Sequence, residues 1–325
     1  MKRLLVVCGP TSTGKTTLAI NLAKKFGGEL VSADSRQVYR GVDIGTGKDL
    51  PLGSKIRYPW FSKYGYYEVS GVKVWGYDLV DPKREYSVAQ YLKFAKYIIG
   101  DIGKRKKLPI LVGGTGLYIK GVVDGIPTAV IPKNNNLRKN FETKSVDELF
   151  DVLASLDAIR AGSMNSSDKK NPRRLIRAIE VSQYLIDHKD TFNRNTKDLM
   201  DILFIGLNAD KNFIDEKIDY RVKKRIDEGI KSEIEKLLKG GVNWDSQSML
   251  SLGYRQWRDY FEGGVPQENV VDEWKRDEKK YVRRQLVWFK KDKRINWFDV
   301  SAKNYSKDVE KVVEKWYSSA DVQEN

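Results

Sequence analysis

The sequence predicts an α/β fold: a parallel sheet core covered by helices, with a helical insertion and a basic helical C-terminal region. Three observations predict it. Short apolar runs ending in glycine or acidic residues alternate with helical patterns over 1–123, the chain becomes polar and helix-prone over 124–200, and Lys and Arg crowd into the last third. The expected division is therefore a core of 1–123 and 201–317, an inserted helical domain of 124–200, and a frayed tail of 318–325.

The elements follow in order. Leu4 to Cys8 is a β-prone run that enters Gly9-Pro10, and Thr17 to Ala23 then carries a helical pattern that ends near Gly27-Gly28. A second strand, Glu29 to Ala33, delivers Asp34 and Ser35 at its carboxyl end, and a third, Pro109 to Val112, runs into Gly113-Gly114-Thr115-Gly116. Between 50 and 77 the Gly, Tyr, Trp and Lys content indicates a loop with a hairpin. After an Asn134 to Asn136 break and a polar loop at 163–171, Ile202 to Leu207 restores a core strand. Helical spacing then runs from Tyr220 to Lys239, and again from Asp272 to Lys293 among dense Lys and Arg.

With 325 residues, 40% of them hydrophobic, the chain can bury a sizeable interior without covalent staples. Its one cysteine, Cys8, and one histidine, His188, exclude disulfides and Cys/His metal clusters; Cys8 reads as a buried hydrophobe and His188 as exposed. The N-terminus has no signal-peptide layout and no apolar run reaches membrane-spanning length, so a cytoplasmic location without membrane contact is expected. A net charge of +15 favours a polyanionic partner, which would relieve self-repulsion.

The most specific signal is Gly9-Pro10-Thr11-Ser12-Thr13-Gly14-Lys15-Thr16, which fits G-x-x-x-x-G-K-[ST] between a strand and a helix. Such a P-loop, a motif shared with ATP-binding proteins, turns backbone N–H groups and a helix N-terminus toward a di- or triphosphate. Lys15 adds a point charge, and the Thr16 hydroxyl can hold Mg²⁺. A P-loop NTPase-like core is therefore expected. A nucleotide hydrolase would also place an acidic residue at the end of a later strand, whereas here the best later strand ends in Gly113-Gly114.

The P-loop, Ser32 to Gly41, Asp43 to Thr46, Leu108 to Tyr118, Pro172 to Val181, Ser251 to Gln256 and Arg283 to Phe289 together resemble, in order, the motifs of the tRNA dimethylallyltransferase family over nearly the whole chain. The resemblance implies transfer of a dimethylallyl group from dimethylallyl diphosphate to N6 of adenine 37, in the anticodon stem-loop of tRNAs reading codons that begin with U. A monomer is expected. Residues 9–16 would hold the diphosphate and Asp34 would be the base at the acceptor amine, with Arg221 and Arg225 near the diphosphate. Asp34, Ser35, Arg36 and Gln37 would contact the target nucleotide. Contacts to tRNA would come from Thr115, Arg138, Arg173, Arg174, Leu175, Ile176, Arg177, Ser251, Leu252, Gly253, Tyr254, Arg255 and Gln256.

From the residues alone, Asp34 is also a candidate helix N-cap or a Mg²⁺ ligand. Arg173, Arg174 and Arg177 could equally form a solvated helix face, as could Lys279, Lys280, Arg283 and Arg284. The sequence departs from the family pattern at Trp75 to Pro82, which lacks histidine, and at Glu278-Lys279-Lys280. Rival readings are an adenylate-type isopentenyltransferase acting on a free nucleotide, a P-loop kinase of a small metabolite, and a non-enzymatic RNA-binding protein.

Overall fold

The computed structural model describes residues 2–51, 53–60, 62–188 and 200–319. Two compact units result, one from Met1–Val123 with Asp198–Asn325 and one from Asp124–Lys197. Of the expected tail, 320–325 lie outside the described residues, while Ser318 still belongs to the last helix.

The first unit is built on one sheet of seven strands: β1 (Lys2–Cys8), β2 (Gly28–Ser32), β3 (Tyr66–Val69), β4 (Val72–Trp75), β5 (Leu108–Gly113), β6 (Met200–Asn208) and β7 (Ile295–Asp299). Their order is β3-β4-β2-β5-β1-β6-β7, and every neighbouring pair is parallel except the β3–β4 hairpin. β1 lies between β5 and β6, so the loop that leaves β1 emerges at the carboxyl edge amid parallel strands, where open α/β sheets bind ligands.

Helices α1 (Lys15–Phe26), α2 (Val88–Lys104) and α3 (Gly116–Val123) follow β1, β4 and β5. α1 starts after Gly14 and stops at Gly27, both left-handed, and buries Leu18, Ala19, Leu22 and Ala23 against the sheet. α2 is opened by a capping box, in which Ser87 Oγ accepts the Gln90 N–H and the Gln90 side chain accepts the Ser87 N–H. Cys8 is fully buried and its thiol is pushed up to about 12 by that burial, so it behaves as the inert hydrophobe expected.

The second unit contains α4 (Asn135–Phe141), α5 (Val146–Leu156), α6 (Ala158–Ser163), α7 (Ser166–Lys169) and α8 (Pro172–Asp187). Leu149, Leu153, Ala161, Leu175 and Ile179 form its own core. His188 is exposed and stacks on Tyr184, with ring centroids 4.0 Å apart.

The chain returns to the first unit through β6 and continues with α9 (Lys211–Asp227), α10 (Ile230–Lys239), α11 (Arg258–Phe261), α12 (Gln267–Phe289) and α13 (Tyr305–Ser318). The helical spacing from Tyr220 to Lys239 falls on two helices, because Gly229 takes φ 92 and turns the chain between them. Strand β7 and helices α2 and α13 were not anticipated from the sequence. Among the described residues no helix is long and apolar enough to cross a membrane.

Candidate active site

The P-loop is shaped by close backbone approach. Gly9 has φ 137, and a Cβ there would lie 2.3 Å from the Leu207 carbonyl oxygen on β6, so no larger residue fits without moving a core strand. Ser12 and Gly14 also take left-handed conformations, which curl the loop before α1 begins. Pro10 O accepts hydrogen bonds from Thr13 Oγ1 at 2.9 Å and from Lys15 Nζ at 2.5 Å, so the ammonium lies folded across the loop. Gln285, buried on α12, accepts the Thr11 N–H at 2.9 Å and donates to Gly114 O at 3.0 Å. One side chain thereby ties the P-loop to the loop after β5.

Above β1 is a cavity of about 150 Å³ whose walls include Lys15, Thr16, Asp34, Gln37, Asp49, Arg221 and Tyr281. Asp34, at the end of β2, faces this cavity and not the core. Its Oδ1 accepts the N–H groups of Arg36 at 2.8 Å and Gln37 at 3.3 Å, so it also caps the turn that follows. Ser35 is held by its N–H to Thr115 Oγ1 at 3.1 Å, and Arg36 donates to Gln247 O at 2.8 Å. Gln37 Nε2 reaches Gly47 O at 3.0 Å, fastening the 43–49 loop over the cavity.

Arg221 and Arg225 project from one face of α9. Arg221 donates to Thr11 Oγ1 at 3.2 Å and Ser12 Oγ at 3.4 Å, placing a guanidinium directly on the P-loop. Arg225 is buried, paired with Glu278 at 3.2 Å and set against the Trp274 ring at 5.7 Å. Gly47, at φ 61, makes room for both: a Cβ there would lie 2.5 Å from Arg225 Nη2 and 2.6 Å from Arg221 Nη2. Crowded cations leave an electrostatic mark. The Lys15 ammonium is pushed down to about 8, first by burial and then by Arg221, with Asp34 opposing; Arg221 is itself lowered by burial and by Arg225. Such a group of cations beside loop amides stabilises a polyanion.

The other residues singled out in the sequence lie in different settings. In the 251–256 segment, Ser251, Tyr254 and Gln256 are buried. Tyr254 Oη donates to Glu233 Oε1 at 2.5 Å and accepts the Gly45 N–H at 3.1 Å, while Glu233 also accepts the Ile44 N–H at 2.9 Å. Gly253 lies under Trp274, Leu252 is half-buried, and Arg255 is the exposed member, paired with Asp277 at 2.5 Å. The segment is thus a brace under the 43–47 loop. Lys279 pairs with Asp219 at 3.2 Å and Lys280 with Asp277 at 3.4 Å.

In the helical unit, Leu175 is core and Ile176 packs beside it. Arg138 donates to both oxygens of buried Glu180 at 2.9 and 3.0 Å, and Arg177 pairs with the same carboxylate while donating to Thr128 O at 2.8 Å and Ile131 O at 2.9 Å. Arg174 pairs with Asp168, and Arg173 is exposed. Burial alone would raise the Glu180 carboxyl, but the hydrogen bonds from Arg138, Arg177 and the Asn134 N–H outweigh it and hold it down at about 2.

Sequence reading did not single out Asp49, Tyr281 or Gln285 as site residues. Gln285 sits within the Arg283 to Phe289 motif, and an amide directly after Arg283-Arg284 was the available signal. Glu278, a departure from the family pattern, is the counterion of Arg225.

The IPP transferase family model matches residues 37–292. The chain belongs to that family. A second model, isopentenyl transferase, matches 2–57, the stretch that contains the P-loop and Asp34. The family member from Carboxydothermus hydrogenoformans, a tRNA dimethylallyltransferase, is 34% identical over 319 residues, covering 96% of both chains. Its namesake from Caldanaerobacter subterraneus subsp. tengcongensis is 36% identical over 307 residues, covering 92% of each. The crystal structure of the full-length tRNA isopentenylpyrophosphate transferase from Bacillus halodurans matches with a TM-score of 0.70 at 30% identity, each chain covered completely. A eukaryotic dimethylallyltransferase acting on tRNA shares the fold, with a TM-score of 0.75 at 21% identity over 96% of this chain and 78% of that one.

Proposed function

We infer that this chain is a prenyltransferase that moves a dimethylallyl group from dimethylallyl diphosphate to tRNA and releases diphosphate. The observation that carries the reading is the single cavity in which Lys15 and Arg221, at the P-loop, face Asp34. The acceptor is N6 of adenine 37 in the anticodon loop of tRNAs that read codons beginning with U. The enzyme works as a monomer in the cytoplasm.

Breaking an allylic C–O bond leaves positive character on carbon and gathers negative charge on the departing diphosphate. The loop amides, Lys15 and Arg221 meet that charge as it forms. The adenine amine is a weak nucleophile that becomes acidic as the new C–N bond forms, and the Asp34 carboxylate accepts its proton. Mg²⁺ fits the site: it prefers a few hard oxygens alongside phosphate and water, and Thr16, Asp34 and Asp49 supply such oxygens to the cavity wall. When bound, it would neutralise diphosphate charge, held by Thr16.

The test incubates labelled dimethylallyl diphosphate with tRNA, with AMP or with neither, and measures ATP turnover separately. Label in tRNA alone is the expected result. Label in AMP alone, or phosphate transfer from ATP, would install one of the rival activities instead.

A further inference from the structure

Beyond the reaction cavity, the structure carries an aromatic, basic surface that the transfer chemistry does not use. We propose that residues 53–60 and 62–65, with the outer face of α2, form a docking surface for unpaired nucleotides of the RNA substrate. The proposal rests on tRNA being the acceptor.

Leu50 to Tyr67 contains no acidic residue and includes Lys55, Lys63 and Arg57, the last paired with Glu68 on β3 at 2.6 Å. The segment begins just after Asp49, which lines the cavity. It is a built surface. Arg57 and Tyr66 exchange two backbone hydrogen bonds of 2.9 Å, Ile56 packs against the main core, and a Cβ on Gly65 would meet Ile56 Cγ1 at 2.5 Å and Tyr58 Cε1 at 3.1 Å. Tyr58 is therefore laid across Gly65. Tyr64 meets Phe94 edge-on at 4.9 Å and lies 5.7 Å from Tyr97, which joins the loop to α2.

This surface keeps its largest rings in solvent. Trp60 is 95% exposed, Tyr58 57% and Tyr97 46%, a costly display for a soluble chain unless something covers them. Cations are interleaved: Lys63 Nζ lies 5.2 Å from the Tyr64 ring, and exposed Lys55 and Lys93 flank the aromatics in sequence. Aromatic faces among lysines are what single-stranded RNA uses, because bases stack on rings while phosphates meet ammonium groups. A second copy is the less suitable occupant, since chains of net charge +15 would bring like-charged patches together.

The experiment compares wild type with Trp60→Ala, Tyr58→Ala and the double variant Lys55→Glu/Lys63→Glu, all at exposed positions and all checked for unchanged melting temperature. Binding of labelled tRNA is read by anisotropy at several salt concentrations, and transfer kinetics are measured separately. The expected result is a roughly tenfold loss of tRNA affinity for each aromatic variant, from the loss of one stacked base. The double variant should also flatten the dependence of log affinity on log salt by about 0.7 per lost phosphate contact. KM for tRNA should rise while kcat and the KM for dimethylallyl diphosphate stay put. Affinity and salt slope within twofold of a wild type that binds and prenylates tRNA would overturn the proposal, as would a concentration-dependent dimer that the variants abolish. A wild type that binds tRNA without prenylating it would instead count against the transfer reading alone.

Discussion

Two clusters of basic side chains, one in each unit of the chain, are used in opposite ways. In the helical unit Arg138 and Arg177 close around the buried Glu180, whose carboxyl they hold down at about 2. In the sheet unit Lys15 and Arg221 converge on a loop of amides, and burial, followed by the neighbouring Arg221, holds Lys15 down at about 8. Charge completed by protein serves folding. Charge left incomplete by protein awaits a substrate, and the site is recognisable by that deficit more than by the number of arginines.

Removing one charge from each unit should therefore have opposite consequences. Lys15→Ala is expected to lower turnover by about 10² to 10³, with a melting temperature equal to or above that of wild type because repulsion with Arg221 is relieved. A stability loss with intact turnover would reverse the assignment. Glu180→Ala leaves Arg138 and Arg177 facing a buried gap, and a loss of about 3 kcal/mol is expected, at the low end for a broken buried pair because both arginines are partly exposed. Calorimetry should register that loss while the affinity for dimethylallyl diphosphate is unchanged.

Acid tests the completed charges, which both units contain. Glu180 and Glu29 are both held down at about 2 from an ordinary 4.5, the latter by Arg105, Trp75 and Lys107 against the cost of burial. Because the folded values are depressed, their stabilisation is fully present above about pH 4.5 and is lost as pH falls toward 2, by up to about 3 kcal/mol each. Urea midpoints measured between pH 6 and 3 should fall, and Glu180→Gln should flatten the part of that fall due to the helical unit. The smallest effect is expected from Tyr254→Phe, which removes the acceptor of the Gly45 N–H and the donor to Glu233: about 1–2 kcal/mol in thermal unfolding, with tRNA affinity preserved.

Legibility in the sequence follows how local the cause is. The P-loop was readable because its curl is a matter of backbone geometry within eight residues, as the left-handed Ser12 and Gly14 bear out, while the crowding of Gly9 against Leu207 on β6 was not local. Gly229 was just as local, yet apolar spacing on both sides of it masked the break between α9 and α10. The 251–256 motif was legible as a motif but not as a brace, because the partners of Tyr254 lie 21 and 209 residues away. Gln285 was hidden for the same reason, with partners at Thr11 and Gly114.

Single-turnover transfer by Asp34→Asn tests the central claim most directly. Asparagine keeps the Oδ1 acceptor for the Arg36 and Gln37 N–H groups, so the turn survives while the proton acceptor is lost. The account predicts tRNA affinity within about twofold of wild type and a transfer rate lower by about 10² to 10⁴. Transfer at the wild-type rate would contradict it.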